Sequence, residues 1–375
     1  MQPSTPSVPS IAEKTEPAPC DHTDVGRDDQ EPTAHELDMG DVGSDLQMQL
    51  RYPSAWFAPV ALSAFAQTIG KCTIEWLDEL GLLKDAATRD HVLAMEPHHY
   101  AGYSHSMASY DHALLYSKYI TLWLLWDDQV VERANHIQDA MRPLHALGGG
   151  TCDWSDPFCV GFRQIGDGYV LHGATSEWRW RFSNVMLEWA QHAVAEEMMR
   201  REAMHSTPQM AFTEALRQRS FTVGIRPNSI PLERAAGFEL PAFVYSSAIY
   251  ARLMDAAARI CCLVNDLVGI RKDIANGQIS SNMVLHYQRC FGGSLGKACG
   301  VILEMHDQAV REFDQLAAEL LSECAPLFLE RLTVFLSHLR YMDTGFAFWH
   351  RDCIRYHQTS AGDPLGDTKL EILRA

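Results

Sequence analysis

One acidic segment of the chain has the residue types and spacing of a metal site. The segment WDDQVVE begins at Trp126 and follows the apolar run TLWLL, so its acids stand where a core-facing helix would end. Asp127 and Glu132 are five residues apart and can converge at that end, with Asp128 beside them. Oxygen ligands grouped in this way suit Mg²⁺, which keeps several waters and is completed by substrate phosphates. Taken alone, the segment could also be a solvated acidic helix end.

A second polar segment, NDLVGIRKD, follows the strongly apolar run ICCLV. Asn265, Gly269 and Asp273 are spaced i, i+4, i+8, so on a helix they lie on one face, one turn apart. The amide oxygen and the carboxylate could bind one cation there, and Lys272 beside the last position could help to neutralise an anion. The other interpretation is polar capping of a helix that ends near the turn Asn276-Gly277.

Two basic positions could hold an anion. Arg219 lies in the segment RQRSFTVG, at a helix end that is broken by Pro227. Arg355 and Tyr356 stand side by side near the C-terminus, six residues after Trp349. A guanidinium and a phenol in that arrangement can both donate to a phosphate oxygen. Taken alone, a cation at a helix end is usually a surface residue that keeps its charge in water, and the Arg-Tyr pair means little.

The elements that must position these residues are helices. From Tyr52 onward, apolar residues recur at spacings of three and four, with few strand-like alternations, so the sequence predicts an all-α fold. The predicted helical stretches run approximately from Ala61 to Leu83, Met107 to Glu132, Ser176 to Arg201, Pro208 to Thr222, Pro241 to Ile274, Ser294 to Leu321 and Pro326 to His357. The predicted breaks are Gly148-Gly149-Gly150, Arg226-Pro227-Asn228, Asn276-Gly277 and Gly292-Gly293.

The chain is predicted to form one helical domain between two tails. No tandem repeat and no interior linker divides the helical stretches, so residues 49–360 are predicted to be a single domain. Residues 1–48 are rich in Pro, Asp, Glu, Ser and Thr and have almost no aromatic residues. Such a composition cannot bury enough apolar area to offset its ordering entropy, which predicts a disordered tail. Residues 361–375 are predicted to be a C-terminal tail.

The composition narrows the class of protein. The chain has 375 residues, of which 47% are apolar and 21% charged, as in soluble globular proteins. Its formal net charge of −17 argues against a general attraction to nucleic acid or anionic lipid. The 10 scattered Cys and the missing basic and apolar leader favour the cytoplasm as its compartment. No stable membrane insertion is expected, because the apolar stretch from Tyr119 to Trp126 is far too short to cross a bilayer.

Together these segments resemble class I terpene synthases of the bacterial type. That family has an Asp-rich motif on one helix, an Asn-Asp-x-x-Ser-x-x-x-Glu motif much later, a phosphate-sensing Arg at a fixed distance before the second motif, and an Arg-Tyr pair near the end. Here Asp127 precedes Asn265 by 138 positions, and Arg219 precedes it by 46. Arg355 and Tyr356 close the helical region, and the resemblance covers roughly residues 52 to 358.

The resemblance implies a single all-α domain around a central apolar cavity, where a prenyl diphosphate ionises and the carbocation cyclises with release of pyrophosphate. It implies a cluster of three Mg²⁺ ions, for which Mn²⁺ can substitute. The implied metal positions are Asp127, Asp128, Glu132, Asn265, Gly269 and Asp273. The implied diphosphate-binding residues are Arg219, Lys272, Arg355 and Tyr356. The implied substrate-contacting residues are Thr222, Val223, Trp123 and Trp349, the last two through cation–π attraction of ~0.5 to 2 kcal/mol.

Three positions depart from the family pattern. Gly269 stands where the family usually has Ser or Thr, which removes a hydroxyl ligand that a water could replace. Asp273 stands where the family usually has Glu, which shortens the reach of the carboxylate by one methylene. Thr222 stands where relatives commonly carry an Asp, so the link between the sensor Arg219 and the neighbouring carbonyl is less direct. An attenuated or inactive relative therefore stays an alternative.

The substrate expected on family frequency is farnesyl diphosphate, with geranyl, C-methylated geranyl and geranylgeranyl diphosphate as alternatives. A chain-elongating prenyltransferase would share the helical fold and the Mg²⁺ chemistry, but its second motif would read Asp-Asp-x-x-Asp, where this chain has Asn265-Asp266. A catalytically weak helical binding protein would have no reason to carry both acidic motifs with an Arg at the sensor spacing. The expected partner is a small-molecule prenyl diphosphate and not a nucleic acid, and a homodimer is left open.

Overall fold

The part of the chain that the structure describes is built from helices. The computed structural model describes residues 47–134, 136–203, 210–275, 281–353, 356 and 369–375. The helices are α1 (Ala66–Glu79), α2 (Ala86–Ala94), α3 (Pro97–Ser104), α4 (Tyr110–Gln129), α5 (Ile137–Leu147), α6 (Pro157–Leu171), α7 (Ser176–Ala203), α8 (Phe212–Thr222), α9 (Ile225–Ala235), α10 (Ala242–Tyr245), α11 (Ala248–Ala275), α12 (Met283–Phe291), α13 (Leu295–Glu323) and α14 (Pro326–Asp352). Two short 3₁₀ helices, Ser54–Trp56 and Val131–Arg133, and two strands accompany them. The all-α prediction is confirmed.

Helix α11 is the central element of the fold. It packs against α8, α9, α12, α13 and α14. Ile260, Cys262 and Leu263 of its apolar run are fully buried, and burial of an aliphatic side chain of this size stabilises a fold by ~1.5 to 3 kcal/mol. Because this run leads directly into Asn265, which is only partly buried, the core fixes where the second polar segment begins.

The long helices agree with the hydrophobic periodicity of the sequence. Each of the seven predicted stretches contains a helix of at least 11 residues, and the predicted breaks at Gly148-Gly149-Gly150 and Gly292-Gly293 follow the ends of α5 and α12. The predicted break at Asn276-Gly277 lies outside the described residues. No helix in the described part of the chain is long and apolar enough to cross a membrane.

Several short helices escaped the periodicity analysis, namely α2, α3, α5, α6, α9 and α12. Capping side chains define the starts of three of them. Asp85 accepts a hydrogen bond from the Thr88 N–H at 2.7 Å, Asp156 accepts one from the Phe158 N–H at 2.9 Å, and Asn282 accepts one from the N–H two residues later at 3.0 Å. Each such cap stabilises its helix by ~1 kcal/mol, a local signal that an apolar repeat does not contain.

The predicted break at Arg226-Pro227-Asn228 is wrong by a few residues. The helical chain is interrupted at Val223 and Gly224, and Gly224 has a φ of 83°, in the left-handed region. Pro227 then lies in the first turn of α9, where its missing N–H costs nothing because first-turn N–H groups have no partner within the helix. The proline therefore follows the break and does not cause it.

The two ends of the described chain meet in a small parallel sheet. Strand β1 (Gln47–Tyr52) pairs with β2 (Lys369–Arg374), with Tyr52 opposite Arg374. Met48, Leu50 and Tyr52 of β1 are buried against the helices, and the Tyr52 hydroxyl lies 3.0 Å from His306 Nε2. Residues 47–48 and 369–374 are predicted from the sequence to lie in the two tails, whereas the structure places them in strands. A pairing between segments so far apart in sequence leaves no trace in local composition.

A carboxyl group without a partner lies in the core. Asp343 on α14 is 1% exposed, and neither of its oxygens has a hydrogen-bond partner among the described residues. Burial raises the pKa of Asp343 well above its ordinary value. A raised folded-state pKa means that the stabilisation is present below the unfolded-state pKa and is lost as pH rises through the folded-state pKa.

We therefore expect Asp343→Asn to stabilise the protein increasingly as pH rises from the ordinary pKa of an aspartate toward the raised pKa of Asp343. The amide keeps the shape of the side chain and cannot ionise, so the variant avoids the growing cost of a buried charge, of the order of 1.4 kcal/mol per pH unit. Urea unfolding of both proteins at several pH values measures the difference. A difference that does not change with pH would contradict this account.

Candidate active site

A cleft between helices contains half of the site residues that the sequence singled out. Its lining comes from α4, α7, α8, α11 and the 3₁₀ turn after α4. The lining residues are Asp127, Val131, Glu132, Trp189, Ala193, Glu196, Glu197, Arg200, Arg219, Thr222, Asn265, Lys272, Asp273 and Ser281. The two acidic segments, 138 positions apart in sequence, therefore face one space.

Arg219 is a cation of this cleft that three hydrogen bonds hold in place. Its guanidinium donates to Asp266 Oδ1 from Nε at 3.1 Å and from Nη2 at 2.7 Å, and to Asn265 Oδ1 at 2.7 Å. Burial alone would lower the pKa of Arg219, but the negative charges of Asp266 and Glu196 hold it above its usual range. Burial raises the pKa of Asp266 to about 6, against the effect of Arg219. The arginine therefore stays charged and fixed in direction.

Asn265 is held on its other side by residues of the C-terminal region. His350 Nδ1 donates to the Phe346 carbonyl at 2.7 Å, which leaves its Nε2 as the acceptor for Asn265 Nδ2 at 2.9 Å. The same amide nitrogen donates to the Tyr356 hydroxyl at 3.1 Å. With both amide hydrogens engaged in this way, the Asn265 oxygen faces Arg219.

Lys272 and Tyr356 are neighbours across the same region. The ammonium group of Lys272 lies 5.9 Å from the centroid of the Tyr356 ring, and that ring meets Trp349 edge to face at 5.6 Å. Trp349 is buried and donates from its indole nitrogen to the Met95 carbonyl at 3.0 Å. Arg355, predicted to act beside Tyr356, lies outside the described residues.

The far end of the second segment is tied to the next helix. Asp273 Oδ2 accepts a hydrogen bond from Asn282 Nδ2 at 2.8 Å, and the same nitrogen donates to the Asp266 carbonyl at 2.8 Å. A Cβ placed on Gly269 would lie 2.9 Å from that Asp273 oxygen. The position where the family usually has a hydroxyl therefore faces the carboxylate of Asp273.

The acidic side chains of the first segment do not all face the cleft. Asp127 and Glu132 line the cleft. Asp128 is not among the lining residues, and its Oδ2 lies 2.7 Å from Nε2 of His91 on α2. The turn that carries Glu132 is held by Arg201, which donates to the Glu132 carbonyl. The structure thus brings Asp127 and Glu132 to the second segment and turns Asp128 to a different partner.

Thr222 and Val223, three and four positions after Arg219, lie where α8 ends. Thr222 lines the cleft, and its hydroxyl donates to the Arg219 carbonyl at 3.4 Å, within its own turn. The Val223 N–H donates to that same carbonyl at 3.0 Å. Trp123 is buried one turn before Asp127 and packs on Gly224, since a Cβ there would lie 2.5 Å from its ring.

Several lining residues on α7 were not predicted, namely Trp189, Glu196, Glu197 and Arg200. Their sequence signal is weak, because Glu197 bonds Arg200 and Arg201 at helical spacing, and such pairs usually mark a solvated helix face. Trp189 could have been found only by its apolar neighbours, which equally suit a core residue. Ser281, also missed, follows directly on residues outside the description.

The donor atoms of the cleft fit a hard divalent cation by type. Carboxylate oxygens of Asp127, Glu132 and Asp273 and the amide oxygen of Asn265 share one space, and oxygen ligands of this kind bind Mg²⁺. In the structure, the amide oxygen of Asn265 accepts a hydrogen bond from Arg219, and one carboxylate oxygen of Asp273 accepts one from Asn282. Within the described ranges, no three His, Cys, Asp or Glu side chains are already gathered as a metal site.

Comparison with known proteins agrees with this arrangement. Residues 118–312 match the family model for terpene synthase family 2, C-terminal metal binding. The chain is 24% identical over 322 residues to pristinol synthase of Streptomyces pristinaespiralis, covering 80% of this chain and 83% of that protein. It is 26% identical over 280 residues to a (−)-β-caryophyllene synthase of Saccharothrix espanaensis whose name specifies cyclisation of (2E,6E)-farnesyl diphosphate, covering 72% and 77%.

Among solved structures, hedycaryol synthase in complex with nerolidol has the same fold. Its TM-score is 0.65 at 19% identity, over 80% of this chain and 99% of that chain. The family model alone spans more than half of the chain and includes both acidic segments and Arg219. The chain therefore belongs to terpene synthase family 2 and is a class I terpene synthase of the bacterial type, a carbon–oxygen lyase that acts on phosphates.

Proposed function

We propose that this enzyme ionises farnesyl diphosphate in a Mg²⁺-dependent reaction, cyclises the resulting carbocation and releases pyrophosphate. The observation that supports this most directly is the position of Arg219, which the Asn265-Asp266 pair holds in the cleft that Asp127 also lines. A cation fixed between two groups of oxygen donors is suited to a diphosphate with metal counter-ions.

Loss of the diphosphate is the step that needs electrostatic help. As the carbon–oxygen bond lengthens, negative charge grows on the leaving group, and groups that bind it more tightly than the ester lower the barrier. Arg219 is already oriented by Asp266, so it need not reorganise during the reaction. Lys272 adds a second cation to the same cleft. Bound Mg²⁺ would neutralise leaving-group charge, and the residues proposed to hold it are Asp127, Glu132, Asn265 and Asp273.

The carbocation needs a wall that stabilises it without reacting. Two groups of aromatic rings in mutual contact adjoin the site, one beginning at Trp189 and one at Tyr356. Trp189 at the cleft meets Trp123 at 4.7 Å, and Tyr356 leads through Trp349 to Tyr100, whose centroid lies 4.5 Å from that of Trp349. Burial raises the pKa of Tyr100 well above its usual value, so its phenol stays neutral and cannot trap the cation as a phenolate. Cation–π attraction of ~0.5 to 2 kcal/mol per ring is available.

The choice of a C15 substrate rests on the relatives. The Saccharothrix espanaensis enzyme is named for farnesyl diphosphate, and we propose the same substrate here. Incubation of the full chain with geranyl, 2-methylgeranyl, farnesyl and geranylgeranyl diphosphate, each with Mg²⁺, tests this by gas chromatography with mass detection and by pyrophosphate release. Preferred turnover of another chain length would replace the substrate, and linear elongation products would indicate a prenyltransferase.

The dependence of turnover on metal is tested in the same assay. Turnover should vanish in excess chelator and return with added Mg²⁺ or Mn²⁺, because the carboxylates that line the cleft would repel a diphosphate unless bound metal ions offset their charge. Full turnover in chelator would overturn the proposed metal dependence, and release of pyrophosphate from none of the diphosphates would overturn the proposed function.

A substitution at Gly269 tests whether the second segment binds metal. We expect Gly269→Ser to lower the Mg²⁺ concentration needed for half-maximal turnover, because it places an oxygen beside Asp273 in the donor set. The added Cβ meets only the movable end of the Asp273 side chain, so the helix should accommodate it, and losing an interior Gly favours the helix by roughly 0.5 to 1 kcal/mol.

Gly269→Ala is the matched control, since it adds the same Cβ without the oxygen. Its Mg²⁺ requirement should not fall, while Asp273→Ala should raise that requirement sharply. Metal titrations in which Ser and Ala variants behave alike would show that the segment is only a polar helix end.

A further inference from the structure

Trp189 contacts the break between α8 and α9 from the α7 side. It is 4% exposed, its ring lines the cleft, and its indole N–H donates to the Thr222 carbonyl at 2.9 Å. Thr222 is the last residue of α8, where carbonyl groups lose their partners within the helix. The indole therefore satisfies and fixes the carbonyl at the end of the helix that carries Arg219.

The next carbonyl along the break, that of Val223, does not accept a hydrogen bond from the described residues. In a continuous helix, the Val223 carbonyl would accept a hydrogen bond from the backbone nitrogen of residue 227, but that residue is Pro227 and has no N–H. Among the described residues, no donor reaches the Val223 carbonyl. The sequence thus leaves one carbonyl dipole unengaged, directly after a residue that lines the cleft.

The carbonyl after that, of Gly224, accepts a hydrogen bond from a side chain. Asn228 is buried, and its Nδ2 donates to the Gly224 carbonyl at 2.9 Å while its Oδ1 accepts from the Tyr116 hydroxyl at 2.9 Å. Trp123 packs on the Cα of Gly224, and its ring meets Trp189 nearly perpendicularly at 4.7 Å. Side chains therefore hold the break on both sides of the unengaged carbonyl.

The side chain of Thr222 does not connect the break to another helix. The Thr222 hydroxyl reaches only the Arg219 carbonyl, within the same turn. The contact that reaches the Thr222 carbonyl from another helix comes from Trp189 on α7.

We propose that Trp189 is a positioning residue, whose indole N–H fixes the end of α8 so that Arg219 keeps its place in the cleft. This rests on the proposed function. Because the contact positions a group that responds to charge developing in the transition state, its loss should act on kcat more than on KM.

The test is Trp189→Phe, which keeps an aromatic ring in the wall and removes the N–H. We expect kcat to fall by at least ~10-fold, the change that corresponds to 1.36 kcal/mol of activation free energy, with KM nearly unchanged and an altered ratio of products. The matched control is Trp180→Phe on the same helix, where the side chain is 65% exposed. It should match the wild type in kcat and in product ratio.

A purely structural role would give a different result. Trp189→Phe with a lower unfolding temperature but unchanged kcat and product ratio would overturn the proposal. Should that variant fail to fold, Asn228→Leu, which removes the donor to the Gly224 carbonyl, must show the same split between kcat and KM, and an unchanged kcat would count equally against it. Inactivity of the wild type on every prenyl diphosphate would instead refute the proposed function.

Discussion

Arg219→Ala is expected to lower turnover by at least ~10²-fold, the scale for losing one preorganised electrostatic group. The variant loses the guanidinium that Asn265 and Asp266 hold in the cleft. Steady-state pyrophosphate release measures the effect. Arg217→Ala on the same helix is the control, because that arginine is 58% exposed in its side chain, pairs with Glu214 and does not line the cleft. It should retain wild-type turnover.

Folding must be separated from catalysis in this variant. Without Arg219, Asp266 stays in the core with its main cation removed, and breaking a buried ion pair in this way costs ~3 to 5 kcal/mol. The double variant Arg219→Ala/Asp266→Asn removes the charge as well and should recover much of the lost stability. Its turnover should stay low. Recovery of turnover together with stability would show that Arg219 is only a structural partner of Asp266.

The fold class and the site helices could be predicted because their signals are local and long. Helices of twenty residues or more, such as α4, α7 and α13, repeat an apolar pattern often enough to stand out. The two acidic segments and Arg219 could be singled out by residue type and spacing, and the cleft contains Asp127, Asn265 and Asp273. The packing of the helices brings these segments into one cleft, as the resemblance to the family implied.

What could not be predicted depends on contacts between distant segments. Asp128 was grouped with Asp127, yet His91 draws its carboxylate aside, and no feature within the segment indicates that histidine. Trp189 acquires its role from a carbonyl 33 residues away. The register of β1 with β2 joins residues more than 300 positions apart. Such partners are chosen by tertiary packing and not by the local pattern.

The break after α8 was misplaced for a related reason. Proline is the strongest local breaker, so Pro227 attracted the prediction. The structure ends α8 at Thr222, and Gly224 provides the left-handed turn. The close packing of Trp123 on Gly224 is a second reason for glycine there, since any Cβ would collide with the ring.

Asp127→Asn is expected to reduce turnover by at least ~10²-fold, because it halves the charge-bearing oxygens that the first segment offers to metal at the cleft. Asp128→Asn is the matched comparison on the adjacent residue. It should change turnover by less than about three-fold, since its exposed contact with His91 contributes little. Mg²⁺ titrations of both variants separate metal binding from chemistry, with a raised metal requirement expected for Asp127→Asn. Equal losses in the two variants would mean that Asp128 leaves His91 to join the metal site when substrate binds, and the division of labour drawn from the structure would be wrong.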